Sequence, residues 1–155
     1  MHEPDQAKGQ ASLRSTPVVS CFLLRTDTPE PRLCIVRRSQ RVGSYNARWA
    51  GISGFIEEGV SPEEQAYTEI REETGLQGAQ VRLLKRGAVV EHVDEELGRR
   101  WQVHPFLGEI LEPDAIKLDW EAEEMLWIVP TELGNYETVP KLHEAFLAAE
   151  RGERL

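Results

Sequence analysis

The sequence predicts one mixed α/β domain with helices packed on a sheet, and three observations carry that reading. Apolar, β-branched runs and segments of helical period follow one another in the order strand, strand, helix, strands, strand, helix. With 155 residues, the chain is one domain's worth and can bury roughly 68–70% of its unfolded surface, enough for a core without disulfide or metal staples. No internal repeat, low-complexity segment or long linker divides it.

Residues 1–15, MHEPDQAKGQASLRS, are polar and aperiodic and read as a flexible leader, so the domain is expected over residues 16–155. Val18–Arg25 and Leu33–Arg38 are apolar runs on either side of TDTPEP, whose Asp and Pro favour a turn. They read as a hairpin, which would make Cys21 and Cys34 cross-strand neighbours. Ser39–Ala50 has turn formers and no period, so it reads as a loop, followed by a short apolar piece at 51–56. Ser61-Pro62-Glu63-Glu64 then supplies an N-cap, a proline at the first helical position and a capping-box glutamate, and Gly75 a stop. A helix over Pro62–Thr74 follows. Val81–Lys85, Ala88–Val93 and Arg100–Ile110 read as strands, the last two joined by the acidic turn DEELG. Leu111–Glu124 reads as loop, Met125–Val129 as strand and Pro130–Leu133 as a helical turn. Val139–Glu150 reads as a closing helix with Leu142, Ala145, Phe146 and Ala149 on one face.

Eighteen Lys and Arg against 27 Asp and Glu leave a net charge of −9, which argues against stable binding to nucleic acid or to an anionic membrane. Cys21 and Cys34 form neither a CxxC pair nor a metal spacing and read as reduced core thiols. No apolar run approaches the roughly 18 residues of a membrane span, and the first fifteen residues carry charge where a secretory signal needs an apolar stretch. A cytoplasmic location is expected. His92 and His104 read as sheet histidines, and Trp101, Trp120 and Trp127 as packing residues.

Within the helix, Glu69, Glu72 and Glu73 stand at i, i+3 and i+4, so three carboxylates share one face and repel. Such charge runs usually mark a solvated face. Here a glycine-rich stretch, Gly51-Ile52-Ser53-Gly54-Phe55-Ile56-Glu57-Glu58-Gly59, precedes the helix and permits close backbone approach to a ligand. Hard carboxylate oxygens suit Mg²⁺ or Mn²⁺, and Mg²⁺ is usually held by few carboxylates together with substrate phosphates.

The stretch Gly54–Leu76 resembles the Nudix (MutT-like) box: Gly, five residues, Glu, seven residues, then Arg-Glu-apolar-x-Glu-Glu-x-Gly-apolar. Gly54 falls on the opening glycine, Glu69 on the Glu after the arginine, Ile70 on the apolar position, Glu72 and Glu73 on the paired Glu, and Gly75-Leu76 on the ending. Glu57 and Gly59 match residues common in the loop, and Glu121–Trp127 with Pro130-Thr131-Glu132-Leu133 is similar to a frequent carboxy-terminal pattern of the family. The resemblance implies a Nudix-type α/β/α sandwich, a mixed sheet flanked by helices. It also implies Mg²⁺- or Mn²⁺-dependent hydrolysis of a phosphoanhydride bond in a nucleoside diphosphate linked to another moiety. Glu69, Glu72 and Glu73 would be metal ligands, Glu57 would bind a further ion, and Glu72 and Glu69 would be catalytic, with Glu72 doubling as base. A base from a loop is the alternative, with Glu91, Glu95, Glu121, Glu123 and Glu124 as candidates.

Two positions depart from the box: Val60 stands where the family has its first Glu, and Thr68 where it has its Arg. In the family these two are expected to form an ion pair that braces the loop against the helix, and losing both leaves no unpaired buried charge. An apolar brace, Arg71 or Gln65 are the available substitutes. A Nudix-fold module that binds nucleotide without turning it over is the alternative function. An isopentenyl-diphosphate isomerase is disfavoured because neither cysteine sits in a matching motif.

Residues 37–49 contain Arg37, Arg38, Arg41 and Arg48 and no acid, a local excess of positive charge leading into the box. Polyphosphate is expected to be steered there, with Arg37, Arg38 and Arg41 contacting substrate and Gly54 allowing close approach. Tyr45 or Trp49 would stack on a base. The expected partner is a small nucleotide-type substrate, and sheet edges leave room for a homodimer.

Overall fold

The computed structural model describes residues 13–155. In chain order the strands are β1 (Arg14–Arg25), β2 (Arg32–Arg38), β3 (Trp49–Ala50), β4 (Ile52–Phe55), β5 (Val81–Arg86), β6 (Val90–Asp94), β7 (Arg99–Ile110), β8 (Ala122–Ile128) and β9 (Glu153–Arg154). Two α-helices, α1 (Pro62–Thr74) and α2 (Leu142–Glu150), and three short 3₁₀ turns complete the described residues.

The strands run in the order β3-β2-β1-β7-β5-β9, with β4 on β1, β6 on β7 and β8 on β2. β1 organises the sheet. It lies parallel to β7 along its whole length, from Arg14 opposite Arg99 to Arg25 opposite Ile110. Its other edge is divided between β4, antiparallel at Val18–Cys21, and β2, which it meets only at Leu24 and Arg25. The expected hairpin therefore exists only beside its turn, because β4 takes the edge that β2 leaves and β2 goes on to pair with β8. Cys21 lies opposite Ile52 and Phe106, and Cys34 opposite Trp127, so the two thiols are not cross-strand neighbours. Both are free and buried, and burial pushes their pKa values up, that of Cys34 to about 12.

Side chains alternate across each strand, so the sheet has two apolar faces. Cys21 and Leu23 join a cluster with Ala66 and Ile70 of α1, whereas Phe22 between them joins Leu142, Phe146 and Ala149 of α2. Phe22 and Phe146 meet edge to face at 5.4 Å. One helix on each face gives the α/β/α sandwich, with its mixed sheet at the centre.

α1 has the expected bounds because its caps are local chemistry. The Ser61 hydroxyl accepts from the Glu64 amide at 3.1 Å, the Glu64 carboxylate accepts from the Ser61 amide at 3.3 Å, and Gly75 closes the helix at φ 77°. α2 begins at Leu142 rather than Val139. The Val139 amide donates to the Trp49 carbonyl at 3.0 Å, which ties that segment to β3, and Lys141 at φ 65° turns the chain into the helix. β8 starts at Ala122, inside the expected loop, because its pairing with β2 extends across a bulge to Arg38.

Residues 1–12 of the expected leader lie outside the described residues. Arg14 and Ser15 are already strand, held by pairing with Arg99 and Arg100 and by the Arg14 amide donating to the Gly98 carbonyl at 2.9 Å. No helix among the described residues is long and apolar enough to cross a membrane.

Candidate active site

The glycine stretch becomes β4 and the turn after it, and α1 follows so closely that its first two turns pack beside β4. Glu69 and Glu73, one turn apart on the inner side of α1, are 8% and 5% exposed. The segment 116–121 brings a third carboxylate to them. Its backbone hangs on the end of α1, with the Lys117 amide donating to the Thr74 carbonyl at 2.8 Å and the Asp119 amide to the Glu73 carbonyl at 3.3 Å. The Asp119 carboxylate accepts from the Glu121 amide at 3.0 Å, and the Glu121 carbonyl accepts from the Ser39 amide at 2.9 Å. One oxygen from each of Glu69, Glu73 and Glu121 then lies within 4.8 Å of the others.

Charges this close repel by about 3–4 kcal/mol per pair at an effective dielectric near 20. Burial first, and the neighbouring carboxylates next, raise all three pKa values: Glu69 to about 7, Glu73 well above the ordinary carboxylate range, and Glu121 upward. The Arg38 charge opposes the shift at Glu73 and Glu121 but does not cancel it. Glu73 Oε2 is buried without a hydrogen-bond partner among the described residues. Three hard oxygen donors, one of them orphaned, with their charge under-compensated, are a donor set that fits a divalent cation such as Mg²⁺ or Mn²⁺.

A stability signature follows, with its sign set by linkage. The folded state holds a proton on Glu69 more tightly than the unfolded chain does, so this contribution is present in full below the ordinary value of 4.5 and is lost as pH rises through about 7. The thermal midpoint of metal-free protein is expected to fall across that window. Mg²⁺ or Mn²⁺ should raise the midpoint more at about pH 8 than at about pH 5, read by scanning calorimetry in EDTA and in metal.

Glu72 is exposed and is not among the three converging carboxylates, although its charge reaches Glu69 and Glu121. Glu57 is exposed and lines the cleft beside Glu69. Of the loop acids, Glu121 alone joins the cluster. Glu91 pairs with Arg100 at 3.8 Å, Glu95 is exposed in the β6–β7 turn, and Glu123 and Glu124 pair with Arg37 at 3.3 and 3.4 Å.

The arginine segment is divided in the same way. Arg38 lines the cleft, its Nε donating to the Ser44 carbonyl at 2.9 Å. Arg41 stacks on the exposed Trp120 ring at 5.1 Å, and Trp120 lines the cleft too. Arg37 is committed to Glu123 and Glu124, and Arg48 to Glu137 and the Thr138 carbonyl.

Gly54 has no room for a side chain: a Cβ there would lie 1.9 Å from Glu69 Oε1. Between the glycine stretch and the helix stands Gln65, 3% exposed. Its Oε1 accepts from the Glu57 amide at 3.0 Å and its Nε2 donates to Glu69 Oε2 at 2.9 Å. Val60 and Thr68 are half-buried, and Arg71 is exposed at the far end of α1, so Gln65 is the group that bridges loop and helix.

From the carboxylates a cleft of about 550 Å³ extends over β1, β4, β6 and β7. Its far wall is aromatic. Phe55, 57% exposed, lies 6.2 Å from Trp101 at 32° between ring planes. The Trp101 indole N–H donates to the Tyr45 hydroxyl at 3.0 Å, and that hydroxyl donates to Asp94 at 2.7 Å, so the polar atoms of the wall are satisfied internally. Arg99 covers both Phe55 and Trp101. Trp49 is not in this cleft; its ring packs edge to face on Tyr136 at 5.7 Å. His92 lines the cleft, whereas His104 stands 3.5 Å from Arg86. The Phe55–Trp101 wall escapes sequence reasoning because its members are 46 residues apart and meet only through the sheet. The cue present was a lone aromatic in a glycine stretch.

The NUDIX domain family model matches residues 14–149. None of the curated proteins compared matches the chain. Among solved structures, the chain is similar in fold to a Nudix hydrolase from M. smegmatis, RenU, with TM-score 0.73 and 15% identity over 90% of this chain and 86% of that one. MutT protein from Methanosarcina mazei Go1 gives TM-score 0.73 and 18% identity over 90% and 95%. The NUDIX domain of Shewanella oneidensis NrtR complexed with ADP ribose gives TM-score 0.71 and 12% identity over 97% and 98%.

Proposed function

Because the chain belongs to the Nudix family and is an enzyme of its hydrolase class, we propose that it cleaves a phosphoanhydride bond with water and Mg²⁺ or Mn²⁺, in a nucleoside diphosphate linked to another moiety. The observation that carries this reading is the buried, under-compensated cluster of Glu69, Glu73 and Glu121 at one end of a cleft whose other end is aromatic. The structural relative holding ADP ribose supports a nucleotide-type substrate.

Glu69, Glu73 and Glu121 would hold the cation, with Glu57 and Glu72 at the rim of the cluster. A bound divalent cation supplies charge to offset the phosphate oxygens and makes water more acidic. This chain's own groups do the rest. Arg38, fixed by Ser44, presents its guanidinium to phosphate oxygens, and Arg41, held on Trp120, extends that contact. The exposed Glu72 carboxylate accepts the proton of the attacking water. Arg37 acts at a distance, anchoring β8 and the segment that carries Glu121. The exposed Phe55 receives the base by stacking, backed by the buried Trp101, whose indole N–H is already bonded to Tyr45, so the platform selects for a planar ring more than for its hydrogen-bonding edge.

The test is hydrolysis of a panel of nucleoside triphosphates, nucleotide sugars, ADP-ribose and dinucleoside polyphosphates, with and without Mg²⁺ or Mn²⁺, the pyrophosphate or phosphomonoester products being converted to inorganic phosphate by added pyrophosphatase or phosphatase for detection. Metal-dependent turnover of a compound supports the reading. A blank panel with tight metal-dependent binding would instead make this a binding module. For the compound that turns over, Phe55→Ala is expected to raise KM roughly tenfold with kcat nearly unchanged, the loss of one stacked base. A cytoplasmic location and a homodimer through sheet edges are part of this proposal; light scattering of the full chain checks the dimer.

A further inference from the structure

Glu69 is held by two contacts, one to a glycine of the family box and one to Gln65, a position the box leaves open. Its Oε1 rests against the bare Cα of Gly54, where a Cβ would come within 1.9 Å. Its Oε2 accepts from Gln65 Nε2 at 2.9 Å, across one helical turn. The other end of the same buried amide accepts from the Glu57 backbone N–H at 3.0 Å. The orientation of the amide is fixed by its partners, because a backbone N–H only donates and a carboxylate oxygen accepts. One neutral side chain thus joins the glycine turn to the carboxylate, in the chain that has Val60 and Thr68 where an ion pair would do so.

We infer that Gln65 is a positioning residue for metal binding: it fixes the rotation of the Glu69 carboxylate so that one oxygen stays within 4.8 Å of those of Glu73 and Glu121, and it registers the loop through Glu57, replacing the missing ion-pair brace. The inference rests on the reading of Glu69 as a metal-holding group. A neutral amide suits this place, since a guanidinium in contact with Glu69 would draw on the negative charge that a cation needs. It also leaves Glu57 free to turn toward the cleft while its backbone is pinned.

The experiment compares Mn²⁺ binding, by titration calorimetry and by low-temperature electron paramagnetic resonance, in the unaltered protein, Gln65→Met and Glu73→Gln. Methionine keeps the length and removes both hydrogen bonds. Gln65→Met is expected to bind Mn²⁺ about tenfold more weakly or worse, with an altered resonance line shape, at temperatures where the protein is folded. A folded Gln65→Met with unchanged affinity and line shape, while Glu73→Gln has lost binding, overturns the role of Gln65 alone. An unaltered protein that binds no Mn²⁺, or a Glu73→Gln that binds as tightly as the unaltered protein, overturns the metal reading of the site and this inference with it. Should Gln65→Met not fold, ¹⁵N NMR of the unaltered chain decides: the Gln65 side-chain amide is expected to shift stoichiometrically as Mg²⁺ is added, and an amide that does not respond overturns the inference.

Discussion

Glu73→Gln is expected to lose metal-dependent turnover by about 10³-fold, equivalent to about 4 kcal/mol of transition-state stabilisation, while its metal-free form melts above the unaltered protein at neutral pH. The two effects have opposite signs for one reason. Glu73 is 5% exposed, its Oε2 has no partner among the described residues, and Glu121, Glu69 and Asp119 all oppose its ionisation. An amide of the same size removes that conflict from the folded state and with it the charge a cation requires. A residue that served only packing would lose stability and activity together. Turnover and Mn²⁺ affinity within threefold of the unaltered protein, measured by kinetics and titration calorimetry, would remove the carboxylate cluster as the basis of the function.

Gly54→Ala is expected to lower kcat by about 10²-fold with only a modest drop in thermal midpoint. Its Cβ would fall 1.9 Å from Oε1 and 2.2 Å from Cδ of Glu69, and the obstructing group is the end of a flexible side chain. That side chain swings away at small cost to the fold, and the carboxylate leaves its place; a displacement on the order of 1 Å is enough for a loss of this size. Gly87→Ala is the contrasting control. Its Cβ would lie 2.3 Å from the Ala148 carbonyl oxygen and 2.5 Å from the Ala148 carbonyl carbon, so helix α2 would have to move as a body. That variant is expected to lose folding rather than catalysis alone. If Gly54→Ala turns over normally, Glu69 does not act from the position it occupies.

Much of this was legible in local sequence because the controlling interactions are local. The caps of α1 are made by residues three positions apart, and the i, i+3, i+4 spacing alone puts Glu69 and Glu73 on neighbouring turns. The same logic misses what depends on distant partners. The β1–β2 pairing shrinks to two residue pairs because β4 competes for the same edge, and nothing between Val18 and Arg38 announces that competitor. The arginines at 37, 38, 41 and 48 look equivalent in sequence. Glu123 and Glu124 from β8 and Glu137 beside β3 then occupy two of them and leave Arg38 facing the cleft.

By itself, then, the sequence determined the helix that carries the carboxylates, the glycine stretch that lets β4 approach it and the alternating faces of the core, while the family of fold was legible through the resemblance to the Nudix box. The helix, the glycine stretch and the faces are settled by steric and hydrogen-bond preferences within a few residues of chain. Only the tertiary structure decided which carboxylates converge, since Glu121, 46 residues after the Gly75 that closes α1, reaches the site by hanging its segment on the carbonyls at the end of that helix. It also decided that Glu72 stays outside the converging trio, that Gln65 spans loop and helix, and that Phe55 meets Trp101. Those outcomes turn on side chains whose energies depend on burial and on partners far along the chain, and such energies exist only once the sheet has brought the partners together.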